Sequence, residues 1–333
     1  MSEATPETEN ENYQITVTTE DRNEFKRLDV FLVAKLPQFS RSTLKRLFED
    51  EEISSETASL SLNKMPVAGT IIEVEVPPPL PSDLVAENIP LEILYEDPHL
   101  IIINKPVGLV VHPAPGHYTG TLVNAILHHC PDLKGIGSEK RPGIVHRLDM
   151  GTSGVMVVAK DQATHEGLVQ LFSTHDIDRK YEAIIIGIPN SNEGNLASTI
   201  GRHPTNRLKM AANVKNGKKA VTHFKVIKKY ENCTHIELQL ETGRTHQIRV
   251  HMAQLLNCPV MCDPLYGSGS SSLKKQSEKI KQLVEGYAYQ LLHARELGFI
   301  HPITKVKIHF TAPAPEIFQS VIRELELTHD KSF

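Results

Sequence analysis

The sequence predicts an α+β protein in which a small N-terminal domain precedes a larger one, and three observations support this. The 333 residues, 40% of them apolar, are enough for one large core and a second, smaller one. Apolar residues recur at helical spacing in some segments and alternate with period two in others. A run of prolines, Pro77-Pro78-Pro79-Leu80-Pro81, forms a stiff spacer between the two parts.

The first 24 residues predict a disordered acidic tail, because they carry seven acidic residues against the single base Arg22. They resemble neither a secretory signal nor an Arg-rich transit peptide, so we expect a cytoplasmic protein. Four scattered cysteines without a C-x-x-C pair fit a reducing compartment. The apolar runs fall far short of the roughly 18 residues that cross a membrane.

Residues 25–76 predict a small basic domain with two short helices followed by a strand over Val67 to Val76. Arg41 and Lys45 are four residues apart and would share the solvent face of the second helix. A Pro-rich linker over residues 77–84 ends this domain. The apolar positions at helical spacing are Leu28, Phe31, Leu32, Leu44, Leu47 and Phe48.

Residues 85–327 predict one larger domain in which strands outnumber helices. The predicted strands are Leu91 to Tyr95, Leu100 to Asn104, Val155 to Ala159, Tyr181 to Gly187, Val221 to Ile227 and Thr234 to Glu241. The predicted helices are Thr121 to His129, Asp161 to His175 and Thr245 to Leu256. A flexible loop is expected at Gly267 to Ser272.

The formal charge of −4 hides a strongly basic stretch. Residues 194–230 contain no Asp or Glu but nine Lys and Arg residues, among them Arg202 and Lys209. Such a stretch can follow a phosphate backbone. A solvated basic loop between strands explains the same composition equally well.

Two segments carry unusual combinations of polar side chains. Residues 141–154 place Arg147 and Asp149 in a glycine-flanked turn that leads into an apolar strand, which aims side chains into a cleft. A local surface pair of these two residues is the alternative. Residues 242–251 follow an alternating strand and open a helix, so Arg244 lies at a strand end where it could meet a carboxylate.

These segments, in this order, resemble the RluA/RluD family of pseudouridine synthases over roughly residues 25–325. The matching motifs are Asn104-Lys105-Pro106, His146-Arg147-Leu148-Asp149, Lys180-Tyr181-Glu182-Ala183, Thr242 to Arg249, Asp263 to Gly267 and Leu292-His293-Ala294. The resemblance implies a mainly antiparallel sheet in the larger domain and an RNA-binding domain of the S4 type at 25–76. It implies an isomerase that converts uridine to pseudouridine in RNA, in a stem-loop of large-subunit (23S) ribosomal RNA.

The resemblance also implies residue roles. Asp149 would be the essential carboxylate, Arg244 its ion-pair partner, and Tyr181 the ring that stacks on the uracil. Arg147 would help fill the place of the extruded base. The reaction exchanges an N1–C1′ bond for a C5–C1′ bond without redox change, so it requires no cofactor and no metal. Asp149 could act as nucleophile or as base, and the sequence does not choose between them.

Further residues are expected to contact RNA. Ile248 would bound the other side of the base, although its helical spacing equally predicts a core position, as the strand position of Tyr181 does for that ring. The expected RNA contacts are Arg147, His146, Ile248, Arg41, Lys45, Arg46, Arg202 and Lys209. A monomer is expected from the resemblance, and no residue indicates which uridine is modified.

The sequence also suggests two other functions. A metal hydrolase is suggested by 17 histidines, including His246 and His251, but none forms the i, i+4 pair with an intervening carboxylate that such sites use. A non-catalytic RNA-binding module would have no use for a buried carboxylate that faces phosphates.

Overall fold

A computed structural model of the chain describes residues 11–39, 41–49, 52–76, 84–114, 117–133, 136–137, 141–206, 208–267 and 273–329. The chain divides into two compact units, Met1–Ser82 and Asp83–Phe333. The predicted linker lies outside the described residues except for Leu84, as do residues 1–10 of the predicted tail. Within the described chain, no helix is both long and apolar enough to cross a membrane.

The small unit contains a three-stranded antiparallel sheet whose first strand lies within the segment predicted to be disordered. Strand β1 (Glu11–Thr16) pairs along its whole length with β3 (Ile71–Val76), which also pairs with β2 (Ile53–Ser54). Helix α1 (Thr19–Glu24) follows, capped by the Thr18 hydroxyl. The prediction of disorder was therefore wrong for residues 11–24. The acidic composition concealed a period-two pattern in which Tyr13 and Ile15 pack against the core of the unit.

Two helices close the core of this unit. Helix α2 (Leu28–Lys35) buries Leu28, Phe31 and Leu32, and α3 (Arg41–Glu49) buries Leu44 and Leu47. The two predicted helices are therefore present, and their apolar stripes face Ile72 and Val74 of β3 in one cluster.

The large unit is built on one ten-stranded sheet with the order β4-β5-β6-β12-β7-β11-β10-β8-β9, and β13 pairs with β12. Of the strand pairs in the described chain, β6–β12 is parallel and the others are antiparallel, which confirms the α+β class with a mainly antiparallel sheet. The strands are β4 (Glu92–Glu96), β5 (Leu100–Lys105), β6 (Ser153–Ala159), β7 (Asp178–Ile186), β8 (Glu193–Arg202), β9 (Met210–Ala212), β10 (Lys218–Lys229), β11 (Cys233–Leu240), β12 (Leu292–Ile300) and β13 (Lys307–Thr311).

Helices cover both faces of the centre of the sheet. They are α4 (Leu122–His129), α5 (Gln162–Thr174), α6 (Gln247–Val250, continued by a π-helical turn over His251–Leu255), α7 (Glu278–Leu283) and α8 (Glu316–His329). The interior strand β6 is buried at every residue, which explains its apolar run from Val155 to Ala159.

The structure differs from the sequence prediction in two places that bear on the site. The basic stretch 194–230 is not one loop, since strands β8, β9 and β10 occupy most of it. The predicted helix from Thr245 begins two residues later, because His246 adopts a left-handed conformation with φ 55°. This turn sets which side chains of α6 face the centre of the domain.

Candidate active site

A cavity of about 560 Å³ opens where three conspicuous segments of the sequence meet. Its walls come from residues 141–149, from the C-terminal end of α5, from Arg179 and Tyr181 of β7, and from residues 240–249. A cavity of this size is typical of sites that enclose one small molecule or one group of a larger ligand. The structure thus brings together the predicted residues Asp149, Tyr181, Arg244 and Ile248.

Asp149 lies in a turn that is fixed to its surroundings by the backbone. The amide of Thr152 donates to the Asp149 carbonyl (3.0 Å), and the amide of Gly108 donates to the Met150 carbonyl (2.9 Å). The turn enters β6 through Gly154, where a Cβ would lie 2.1 Å from the carbonyl oxygen of Ala294 in β12, so only glycine fits. Parallel pairing with β12 therefore determines where the Asp149 carboxylate projects.

Arg249, and not Arg244, forms the ion pair with Asp149. Nη1 of Arg249 donates to Oδ2 of Asp149 at 3.0 Å. The guanidinium of Arg244 lines the same cavity but donates through Nε to the Lys219 carbonyl (3.1 Å). The predicted Arg244–Asp149 pairing was wrong, because the left-handed turn at His246 brings the buried face of α6 to the carboxylate and Arg249 is on that face.

Asp263 holds the other edge of Arg249. Nε and Nη2 of Arg249 donate to Oδ2 and Oδ1 of Asp263 at 2.7 and 2.9 Å. Burial alone would lower the pKa of Arg249, but the hydrogen bonds and charge of Asp263, with a smaller contribution from Asp149, raise it. Asp263 opens the Asp263 to Gly267 motif, but the sequence predicted no role for it.

Tyr181 and Ile248 supply apolar walls of the cavity. The Tyr181 residue is 8% exposed and Ile248 4%, and both belong to the main core cluster of the unit. Burial raises the pKa of the Tyr181 hydroxyl, which keeps the ring neutral. Each of the two is therefore a core residue that also borders the cavity.

Comparison with known proteins identifies the family. Residues 99–254 match a sequence model described as RNA pseudouridylate synthase. The chain is 41% identical to ribosomal large subunit pseudouridine synthase D of Zymomonas mobilis, over 91% of this chain and 95% of that protein. It is 39% identical to YlyB of Bacillus subtilis, an uncharacterized RNA pseudouridine synthase, over 94% of this chain and 98% of the relative.

The chain belongs to the RNA pseudouridine synthase family. Its fold resembles the solved structure of human RNA pseudouridylate synthase domain containing 4, with a TM-score of 0.53 and 28% identity over 71% of this chain and 93% of that one. The protein is accordingly an enzyme, an isomerase that acts on RNA.

The cavity of this pseudouridine synthase is strongly cationic. Five arginines and a single carboxylate, that of Asp149, are among the described residues that line it. The arginines are Arg141, Arg147, Arg179, Arg244 and Arg249. Arg147 is exposed. This excess of positive charge suits a polyanionic substrate.

His146 was expected to contact RNA, but its ring is engaged within the domain. Its Nε2 accepts a hydrogen bond from the backbone amide of Val157 (3.1 Å), which assigns the proton to Nδ1. The ring stacks on Phe172 with 4.5 Å between ring centroids, and the Arg179 guanidinium lies 5.4 Å from the centroid of the same ring. Burial, assisted by Arg179, lowers the pKa of His146 to about 3, so the ring is neutral.

Arg202 and Lys209, also expected to contact RNA, are not among the described residues that line the cavity. Arg202 is exposed at the end of β8, and Lys209 in the turn toward β9 lies with its Nζ 6.0 Å from the ring centroid of Tyr266. The Tyr266 hydroxyl in turn contacts Nδ1 of His246 (2.8 Å) at the cavity wall. Arg41 and Lys45 belong to α3 of the small unit, and the side chain of Arg46 lies outside the described residues.

The histidines that suggested a metal site have other partners. His246 contacts Tyr266, whereas the two ring nitrogens of His251 contact the hydroxyls of Thr222 (2.9 Å) and Ser198 (3.0 Å). Glu96, His129 and Cys130 bring potential ligand atoms within 4.8 Å of one another, but Lys160 already donates to Glu96 (2.8 Å). None of these three residues is among those that line the cavity.

Proposed function

We propose that this pseudouridine synthase isomerises uridines in a stem-loop of large-subunit ribosomal RNA, with Asp149 as the essential carboxylate. The observation that carries the proposal is the Asp149–Arg249 ion pair in the wall of a cavity that Tyr181 also lines. Several relatives of the chain are named as ribosomal large subunit pseudouridine synthase D. Such a substrate would place the enzyme in the cytoplasm.

The two oxygens of Asp149 are suited to different tasks. Oδ2 accepts the hydrogen bond from Arg249, while Oδ1 accepts none from the described part of the protein. The Asp149 side chain is 17% exposed, and its only ion-pair partner in the described chain is the buried guanidinium of Arg249. Oδ1 is therefore the atom we assign to the reaction, as nucleophile or as base.

The reaction requires the base to leave its stack. The N1–C1′ bond breaks, the uracil turns, and a C5–C1′ bond forms, while the proton from C5 passes to solvent and N1 gains one. Flipping the nucleotide costs a few kcal/mol. Stacking against Tyr181, at about 1–3 kcal/mol, would offset much of that cost. Ile248 would bound the opposite face of the ring, and exposed Arg147 would occupy the vacated place in the RNA.

Tritium release from RNA containing [5-³H]uridine tests this proposal. We expect release from the intact protein with large-subunit ribosomal RNA or its precursor particles, and none above background from Asp149→Ala or Asp149→Asn. The matched control is Asp132→Asn, which makes the same change at an exposed carboxylate and should leave the rate unchanged. Release that persists in Asp149→Asn would refute the role of Asp149.

We further propose that the small unit is an RNA-binding domain of the S4 type that grips the RNA backbone. Arg27 and Arg41 both donate to the buried Asp29 carboxylate, at 2.9 and 2.7 Å, so this cluster retains a net positive charge beside exposed Lys45. Hydrogen bonds from Arg27 and then Arg41 lower the pKa of Asp29 against the opposing effect of burial.

A single charge tests the role of the small unit. Lys45→Gln should raise KM for the RNA while kcat stays the same, and should reduce the slope of log affinity against log salt by about 0.7, the value for one contact to a single strand. Lys64→Gln, on the same unit but outside α3, is the control. An unchanged salt dependence in Lys45→Gln would argue against this surface as the RNA contact.

A further inference from the structure

Asp263 is a fully buried carboxylate that contacts Arg249, the partner of Asp149, without being among the described residues that line the cavity. It accepts four hydrogen bonds: two from Arg249, and two from the backbone amides of Leu265 (2.9 Å) and Tyr266 (3.0 Å). Its turn is tight, since a Cβ on Gly267 would lie 2.5 Å from the Asp263 carbonyl oxygen. The carboxylate is thus held by the backbone on one side and holds a guanidinium on the other.

The two bonds to Asp263 fix the plane of the Arg249 guanidinium. A single hydrogen bond to Asp149 would leave that group free to rotate, whereas the bidentate pair through Nε and Nη2 permits one orientation. The ring of Tyr266 lies 5.2 Å from the guanidinium carbon and restricts it further. In this orientation Nη1 is directed at Oδ2 of Asp149.

The charges of the three groups matter as much as their geometry. Arg249 lies between two carboxylates, so the trio carries a net charge of −1. Without Asp263, the guanidinium and Asp149 would form a neutral pair in which the positive charge is wholly directed at the reacting carboxylate. Asp263 takes up part of that charge through two charge-assisted hydrogen bonds.

We propose that Asp263 is a positioning residue for the isomerisation: it orients Arg249 so that Asp149 is held through Oδ2 while Oδ1 stays available to the substrate. This inference rests on the proposed function, specifically on Asp149 as the essential carboxylate. Outer-layer partners of this kind typically contribute about 10- to 100-fold to activity where they orient metal ligands, and we expect an effect of that size.

Asp263→Asn separates this role from a structural one. The amide oxygen can still accept from Leu265 and Tyr266, so the turn is kept, but the amide NH₂ would face the Nε–H of Arg249, donor against donor. Glu237→Gln is the matched control, because Glu237 also pairs with an arginine of the same unit, Arg295 (2.6 Å), away from the cavity.

The test compares single-turnover tritium release and RNA affinity in the full-length protein. Asp263→Asn should slow release about 10- to 100-fold, with the dissociation constant for RNA unchanged within about threefold, and Glu237→Gln should match the wild type. In an Arg249→Met background, Asp263→Asn should have no further effect, because Asp263 acts through Arg249. A wild-type rate in folded Asp263→Asn, or losses that multiply in the double variant, would overturn the inference.

A second measurement does not depend on activity or on Asp263→Asn folding. In Asp149→Ala, the ¹⁵N-detected Nε–H of Arg249 should remain protected from solvent exchange, since Asp263 alone holds it; rapid exchange there would refute the positioning role. Failure of the proposed function looks different, because it appears as tritium release that survives Asp149→Asn whatever Asp263 does.

Discussion

At the scale of single residues, Asp149 pairs with Arg249 and not with Arg244. Both arginines stand in the same ten-residue segment, and the strand-end position of Arg244 favoured the wrong one. The choice is made by the φ of 55° at His246, which turns α6 so that Arg249 is buried between two carboxylates. Such a conformation is set by packing, and the sequence gives no local signal for it.

Arg249 and Arg244 should therefore respond differently to substitution by lysine. Arg249→Lys cannot span Asp149 and Asp263 with one ammonium group, so we expect kcat to fall by about 10²–10³, the loss seen when an oriented donor is removed. Arg244→Lys should keep kcat and change mainly the KM for RNA, because Arg244 lines the cavity without contacting Asp149. Steady-state tritium release measures both, and equal losses of kcat would contradict the structure.

Stability distinguishes the two positions as well. Arg249→Met leaves Asp263 buried without its cation, and breaking a buried pair in this way costs about 3–5 kcal/mol in the free energy of unfolding. Arg244→Met removes a half-buried side chain with one bond to a carbonyl and should cost far less. Urea unfolding monitored by circular dichroism compares the two variants.

At the scale of elements, the end of β5 is tied to the Asp149 turn by a buried lysine. Nζ of Lys105 donates to the carbonyls of Pro106 (2.8 Å), Leu109 (2.9 Å) and Met150 (3.3 Å), and the residue is fully buried. Burial lowers the pKa of Lys105 to about 7, partly opposed by the charge of Asp149. The strand and the Asp149 turn are therefore joined by a group whose pKa lies near neutral pH.

The lowered pKa of Lys105 predicts that the free energy of unfolding rises with pH above about pH 7. The pKa in the folded state lies below that of the unfolded chain, so between pH 7 and about 10.4 the unfolded chain binds more protons and the folded state gains stability as pH rises. The free energy of unfolding of the wild type, relative to Lys105→Met, should increase by up to about 1.4 kcal/mol per pH unit in that window and be level below it. A constant difference from pH 6 to pH 10 would show that Lys105 titrates normally.

Helix α5 and strand β1 show why the sequence predicted some elements correctly and missed others. Helix α5 was predicted from Asp161 and begins one residue later; the Asp161 side chain caps it by accepting from the Thr164 amide at 2.8 Å, which is a local interaction. Strand β1 was missed because its partner β3 lies some 60 residues further along the chain. The apolar side chains of β1 pack against the core only because of that non-local pairing.

On the scale of the whole molecule, the two units differ in how acid should affect them. All 17 histidines lie in the large unit, since residues 1–82 contain none. Burial lowers the pKa of His112 and of His251 to about 4, and that of His146 to about 3. Each is neutral in the folded state, whereas in the unfolded chain it gains a proton below about pH 6.5.

The large unit should consequently lose stability as the pH falls from about 6.5 to 4. Across that window the unfolded chain binds up to three more protons at these histidines, so its free energy of unfolding should fall by as much as about 4 kcal/mol per pH unit. The small unit should lose stability only at a lower pH. Its buried Asp29 and Asp21 have lowered pKa values, held down chiefly by Arg27 and by the Thr18 amide, so their contribution persists above about pH 4 and is lost below it.

Hydrogen exchange with mass spectrometry resolves the two units in the intact chain. Protection factors in β5, β6 and β7 should fall between pH 6.5 and 4.5 while those in β1 and β3 hold, because only the large unit takes up protons at histidines there. His146→Gln supplies the control, since its amide oxygen can replace Nε2 as acceptor for the Val157 amide without titrating. On unfolding in this pH range, the His146→Gln variant should take up one proton fewer than the wild type. Parallel loss of protection in both units would contradict the assignment of acid sensitivity to buried histidines.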